Sequence, residues 1–382
     1  MKRIGLVLAL TLALLVAAAV VLFNRVPDVV KIGVGQPLSG PLAHEGQDLL
    51  HGVELAVEEI NAAGGVPVAG KRVKLAIVSA DDKSNPADGL LAAQQLVDEG
   101  VLVAVAHLNS GVSIPTAPIY AKAGIPQLAI STKPDYTRLK LATTLRLVAN
   151  DDLQSKAIGS YALQIPGIER IAIVDDGTPY GKGLADQVTS IISASDRRVA
   201  ARLSLDNKTT DFADLVSTLK RTDAQLVVST LSDFQAVALI KQLSQAGLSR
   251  MRILGGDTLK TNALLDARGQ IAGVYATSPI LEAHEFSQGK AFLERFRRRF
   301  KGEPVYGAHY TYDAVYLVAD ALTRNASVSK ADLLAKLKTF DGSAPVTGMM
   351  RFDSAGEQRY GVIGVYELVA GRWGLMFSSD RW

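Results

Sequence analysis

What most constrains this chain is a rhythm. Short β-branched runs alternate with stretches of helical periodicity, and the alternation restarts once near residue 150. In the first half, strands are expected at 29–34, 73–79, 101–106 and 127–130, with helices at 47–61, 86–98 and 114–123. Leu50, Val53, Leu55, Ala56, Val57 and Ile60 mark the first helix by their spacing, and Gly64 and Gly65 stop it. After the restart, a helix at 153–163 leads into strands at 170–174, 199–205, 226–230 and 252–255. Helices at 181–195, 212–221 and 234–246 separate those strands. Strands alternating with helices of about 10–15 residues build βαβ units and a parallel sheet. The expected fold class is therefore α/β, with two doubly wound parallel-sheet lobes. Length agrees, because 382 residues exceed what one hydrophobic core organises. Further on come helices at 289–300, 310–324 and 330–339, then a β-rich tail at 349–352, 361–368 and 373–377. No internal repeat or low-complexity linker stands out, so strand crossings rather than a tether should join the lobes.

The N-terminus sets the compartment. Lys2 and Arg3 precede an apolar run from Ile4 to Phe23, which Thr11 alone interrupts with a polar side chain. A short basic segment before an apolar stretch is an export signal, and Ala17, Ala18 and Ala19 offer a cleavage site. The run is also long enough to span a membrane, so a retained anchor is the alternative. Either way the rest of the chain is delivered across a membrane, to the periplasm.

Composition excludes several classes. The net charge of +3 gives no basis for nucleic-acid binding. The one dense basic cluster, Arg297 to Arg299 with Lys301, reads as a solvated helix face. With no cysteine there can be no disulfide, thiolate metal site, cysteine nucleophile or lipid-modified cysteine.

In a parallel sheet, ligands gather where strand ends lead into helix N-termini. The loop from Gly33 to Pro41 is neither GxGxxG nor GxxxxGK[ST], and a tight turn explains it. After the third strand stand Asn109, Ser110 and Ser113; the serines either cap a helix or bind an anion with its dipole. The next strand ends in Ser131 and Thr132, putting further hydroxyls on the same sheet edge. The second half offers Asp176, Thr178 and Tyr180, then Ser232, then Asp257 after two glycines. Capping is the plain reading of Asp176, Thr178 and Asp257. Tyr180 could cover an apolar ligand group, and Asp257 could pair with a ligand cation.

Enzyme signatures are missing. There is no GxSxG and no HExxH, and the five histidines show no metal-ligand spacing beyond His44 and His51, seven apart. Asp81 and Asp82 are adjacent and read as turn and cap residues. No nucleophile stands with a base and an orienter. A non-enzyme with no cofactor and no metal is expected.

With export, two α/β lobes and hydroxyl-rich strand ends in hand, the chain resembles the periplasmic branched-chain amino-acid-binding proteins of ABC transporters, the leucine-binding group of type I periplasmic binding proteins. The stretches that carry the resemblance are Ile32 to Pro41, Gly52 to Gly65, Asp81 to Pro86, His107 to Ser110, Asp175 to Ala185, Ala246 to Leu248 and Gly255 to Asp257. It implies a two-lobed clamp with three hinge crossings: a leader or anchor at 1–28, one lobe from 29–149 and 282–360, the other from 150–281 and 361–382. It further implies that Ser110 (beside Asn109) and a hydroxyl of Ser131 or Thr132 bind a ligand carboxylate. Tyr180 would line the pocket and Asp257 would pair with the α-ammonium. Glu45 and Ser232 stand where leucine-binding members carry aromatics, and Asp257 is shorter than their glutamate. Branched-chain specificity therefore does not carry over. The expected partners are a small amino acid or related carboxylate and a membrane permease, with the protein itself a monomer. The alternatives are a membrane-anchored sensor of the same fold, or a receptor for an amide, urea or an aromatic acid.

Overall fold

The computed structural model describes residues 26–379 except 268 and 326. The leader or anchor reading of 1–28 thus falls almost wholly outside the described residues. Among those residues no helix is long and apolar enough to cross a membrane.

Two sheets organise the chain. The first holds β1 (Val29–Gln36), β2 (Val66–Val68), β3 (Lys71–Asp81), β4 (Val103–Ala106), β5 (Gln127–Ala129) and β6 (Thr144–Arg146) in the order β2-β3-β1-β4-β5-β6. β1 runs parallel to both β3 and β4, and β4, β5 and β6 continue in parallel. Its Ile32 and Val34 are fully buried, as a strand covered on both faces requires. The second sheet holds β7 (Arg170–Asp175), β8 (Arg198–Ser204), β9 (Leu226–Thr230), β10 (Arg252–Gly255) and β11 (Gly273–Ser278). A separate ribbon, β12 (Asp341–Ala344) with β13 (Gly348–Arg351), precedes β14 (Gly364–Val369) and β15 (Arg372–Ser378). The second sheet runs β15-β14-β11-β10-β9-β7-β8; β14 is antiparallel to β11, and β15 is antiparallel to β14.

The chain crosses between the two sheets three times: after β6, after β11, and between β13 and β14. The first core mixes residues 30–148 with residues 280–352, because helices Gly289–Phe300 and Ala308–Thr323 return to the first sheet. Residues 149–276 and 363–368 fill the cores around the second sheet. This is the expected two-lobed α/β fold.

Local signals hold where they are chemical. Asn85 caps helix Pro86–Asp98 by accepting from the N–H groups of Ala87 and Asp88, with Pro86 in the first turn. Four strands, β2, β6, β11 and β12, were not expected. Two of them are only three residues long, too short for periodicity to register. In the tail, β13 pairs with β12 in a ribbon of its own, apart from the terminal strands. Helix Ser110–Lys122 starts four residues earlier than expected, because Pro115 looks like a first-turn proline but lies inside it.

The two long helices of the first lobe meet at Gly52. A Cβ there would collide with the Ala308 carbonyl oxygen and the Thr311 hydroxyl. The same hydroxyl donates to the Leu49 carbonyl at 2.8 Å, so the gap has no slack. Gly52→Ala should lower stability by about 1–3 kcal/mol through overpacking, read as a reduced denaturation midpoint in urea. An unchanged midpoint would show that this helix contact yields freely.

Candidate functional site

A cavity of about 710 Å³ lies between the lobes, at the carboxyl ends of the strands of both sheets. The eight residues expected to bind a ligand all line it. Glu45, Asn109, Ser110, Ser131 and Thr132 come from the first lobe, and Tyr180, Ser232 and Asp257 from the second.

The first wall is built of hydroxyls at a helix start. Asn109 holds the N-cap position of helix Ser110–Lys122, and its side chain makes no capping bond. Ser110 is the first helical residue and not the cap, and Ser113 turns inward to donate to the His107 carbonyl at 3.2 Å. That corrects the capping reading of both serines. Ser110 Oγ accepts from the Lys133 N–H at 3.2 Å, which leaves its own proton to donate. Among the described residues, Ser131 Oγ and Asn109 Oδ1 are buried with no hydrogen-bond partner. The N–H groups of a first helical turn precede any intrahelical acceptor, and the dipole there favours an anion. The 131–133 loop is pinned from behind. The buried Arg146 guanidinium donates to the Ser131 carbonyl, to the Lys133 carbonyl at 2.8 Å and to Glu357 at 2.9 Å.

The second wall centres on a carboxylate. Asp257 Oδ1 accepts from the Tyr180 hydroxyl at 2.7 Å and from Gln154 Nε2 at 3.1 Å. Its Oδ2 accepts from the Tyr306 hydroxyl at 2.9 Å. Tyr180 therefore does more than cover a ligand group. Tyr306 packs on the first-lobe core, so Asp257 is gripped from both lobes. Burial, and then the charge of Asp257, hold both tyrosine hydroxyls far above their ordinary pKa, so they stay neutral donors. The segment bearing Tyr306 is fixed by Asp48, which accepts the N–H groups of Val305, Tyr306, Gly307 and Ala308 at 2.9–3.0 Å. Burial pushes the Asp48 carboxyl up to about 6 against the lowering effect of those four donors.

A third feature is acidic. Glu45 stands in the first turn of helix Ala43–Ala62, and Asp233 opens helix Asp233–Gln245 on the opposite lobe. Burial, and then the charge of Asp233, push the Glu45 carboxyl up to about 8. The half-exposed His44 Nε2 lies 3.0 Å from Glu45 Oε1 and 3.6 Å from Asp233 Oδ2. Nearby Ser232 serves a capping box with Gln235. Asp176 accepts from the Thr178 hydroxyl at 2.6 Å, and Thr178 caps helix Pro179–Ser193, as the plain reading has it.

Elsewhere, Asp81 takes the turn role, accepting from the Lys83 and Leu38 N–H groups. Asp82 takes it too, accepting from the Ser84 N–H, and in addition meets buried His107 Nδ1 at 2.7 Å. His51 stacks on Phe300, and so serves packing. Sequence reasoning missed Tyr306, Gln154 and Asp233. Asp233 was within reach, one residue past Ser232 at the same strand end. Tyr306 lies between two helices and Gln154 inside one, where no strand-end rule points.

The profile of a periplasmic binding protein family matches residues 29–371. The chain belongs to that family. More narrowly, it is a type I periplasmic binding protein of the leucine-binding group, as the motifs implied. A Leu/Ile/Val-binding protein homolog 1 of Brucella abortus is 30% identical over 334 residues, covering 86% of this chain and 88% of the relative. The branched-chain amino acid transporter substrate binding protein LivJ of Streptococcus pneumoniae, solved with isoleucine, superposes with TM-score 0.80 at 25% identity, covering 92% of this chain and 98% of that one. A solute binding protein of R. palustris, solved with benzoate, superposes with TM-score 0.80 at 19% identity, covering 91% and 95%. That last likeness concerns the fold alone.

The acidic pair gives this binding protein a signature in pH. Folded Glu45 keeps a proton that the unfolded chain has already lost, so its contribution to stability falls as pH rises from about 4.5 to about 8. Glu45→Gln removes that term. The melting temperature of the variant relative to the parent should climb between pH 5 and pH 8.5. A difference that stays flat across this range would show that Glu45 does not titrate there.

Proposed function

We propose that the protein is the extracytoplasmic solute-binding component of an ABC transporter, capturing an amino acid between its lobes for a membrane permease. The observation that carries this is Asp257: a buried carboxylate at a strand end, held by hydroxyls from both lobes, in a cavity whose other wall is rich in hydroxyl donors. In this reading Ser110, Ser131 and Thr132, with Asn109 beside them, receive the ligand carboxylate. Asp257 receives its ammonium, and the ring of Tyr180 lies alongside. Each buried ligand charge then has a partner, without which it would cost several kcal/mol.

A zwitterion bridging the walls favours the closed arrangement, because it meets both lobes only there. Residues 29–149 with 282–360 form one jaw and 150–281 with 361–382 the other, and the three crossings act as the hinge. The N-terminal apolar run is the export signal, or a retained anchor. The protein binds and releases its solute unchanged, in keeping with relatives described as binding proteins.

Calorimetry with a panel of L-amino acids tests the reading. At least one should bind well below about 1 mM, and Ser110→Ala should weaken it by roughly tenfold, the loss of one hydrogen bond to a charged group. Unchanged binding in that variant would remove Ser110 from the carboxylate site. Asp257→Asn should abolish binding of α-amino acids and spare a plain carboxylic acid of the same shape. Equal loss of both would refute the ammonium assignment.

A further inference from the structure

The far end of the cavity is acidic beyond what an α-amino acid requires. Glu45 and Asp233 are each 4% exposed, line the cavity from opposite lobes, and face one another closely enough for their charges to interact. Among the described residues Glu45 Oε2 has no hydrogen-bond partner. Asp233 Oδ2 has only part of its capacity used, accepting from the Thr261 hydroxyl at 3.1 Å. The base that touches both is His44, whose side chain is 48% exposed. Two lysines reach the cavity wall, Lys83 and Lys208; Lys83 pairs with Asp88 at 3.1 Å, and both lysines are exposed. Facing carboxylates in a buried site repel unless a proton or a cation lies between them.

Glu45, Tyr306 and Asp257 line the same cavity, and the Tyr306 hydroxyl that donates to Asp257 also feels the charge of Glu45. An amino acid whose ammonium sits on Asp257 would point its side chain toward this pair. An aliphatic side chain there would bury Glu45 against carbon, with its free oxygen unsatisfied. A cation would instead accept both carboxylates as partners in a low-dielectric site, where charge-assisted hydrogen bonds are strong.

We propose that the captured amino acid carries a second positive charge at the end of its side chain, an ammonium or guanidinium seated between Glu45 and Asp233. This rests on the amino-acid reading above and narrows its substrate class to basic amino acids. His44, Glu45 and Asp233 present ligand atoms within 4.8 Å of one another, so a divalent metal is the competing occupant.

Titration calorimetry separates these ideas by pairing ligands of matched shape and different charge. L-arginine is compared with L-citrulline, and L-lysine with L-norleucine, with L-leucine as reference. The proposal expects arginine or lysine to bind at least about tenfold tighter than its neutral counterpart, one lost charge-assisted contact being worth that factor. Glu45→Gln and, independently, Asp233→Asn should each erase most of that ratio, and a ratio unchanged in both variants would overturn the proposal. Leucine or norleucine binding as tightly as lysine would overturn the basic side chain while preserving the amino-acid reading. No α-amino acid binding at all would overturn the reading beneath it. Zinc or calcium alone binding to the parent but not to Glu45→Gln, with no preference for cationic amino acids, would assign the cluster to a metal and overturn the proposal.

Discussion

A buried carboxylate must be surrounded by donors, and Asp257 finds them on both sides of a cleft. Tyr180 and Gln154 reach it from the second lobe and Tyr306 from the first. An ionised carboxylate has about four lone-pair positions, and these donors take three. The arrangement leaves one position on the carboxylate open and ties it to the relative placement of the lobes. Much else in the first lobe serves it. Asp48 gathers four backbone N–H groups to fix the segment carrying Tyr306, and Gly52 lets helices Ala43–Ala62 and Ala308–Thr323 approach closely behind it.

The opposite wall follows from sheet geometry. Parallel strands deliver their carboxyl ends, and the helix starts that follow, to one edge. Two such edges facing each other make a cleft whose walls are loops and helix N-termini. Arg146 refines one of them by binding the carbonyls of the Ser131–Lys133 loop while pairing with Glu357, which lies in the crossing between β13 and β14. Loop and crossing are thereby joined through one guanidinium.

Most of the strands and the hydroxyl-bearing loops were legible in the sequence, because buried parallel strands are apolar runs and strand ends are punctuated by polar residues. What escaped is long-range. Tyr306 and Asp257 are 49 residues apart, and Asp48 meets Val305 across 257 residues. No local pattern encodes such pairings. Ser110 was open to two readings for a physical reason: a serine at a helix start can cap it or face outward, and only the position of Asn109 one residue earlier decides. The acidic end was half legible. Glu45 stood out as a departure from an aromatic position, whereas its partner Asp233 belongs to another lobe and acquires meaning only when the lobes meet.

Everything turns on how a ligand lies in the cavity. A crystal structure of the protein with the tightest-binding amino acid from the calorimetric panel tests this most directly. The ligand carboxylate should lie within hydrogen-bond distance of Ser110 and of Ser131 or Thr132, with its α-ammonium on Asp257. A ligand bound in the reverse sense, or outside the cleft with Asp257 still enclosed by its tyrosines, would contradict it.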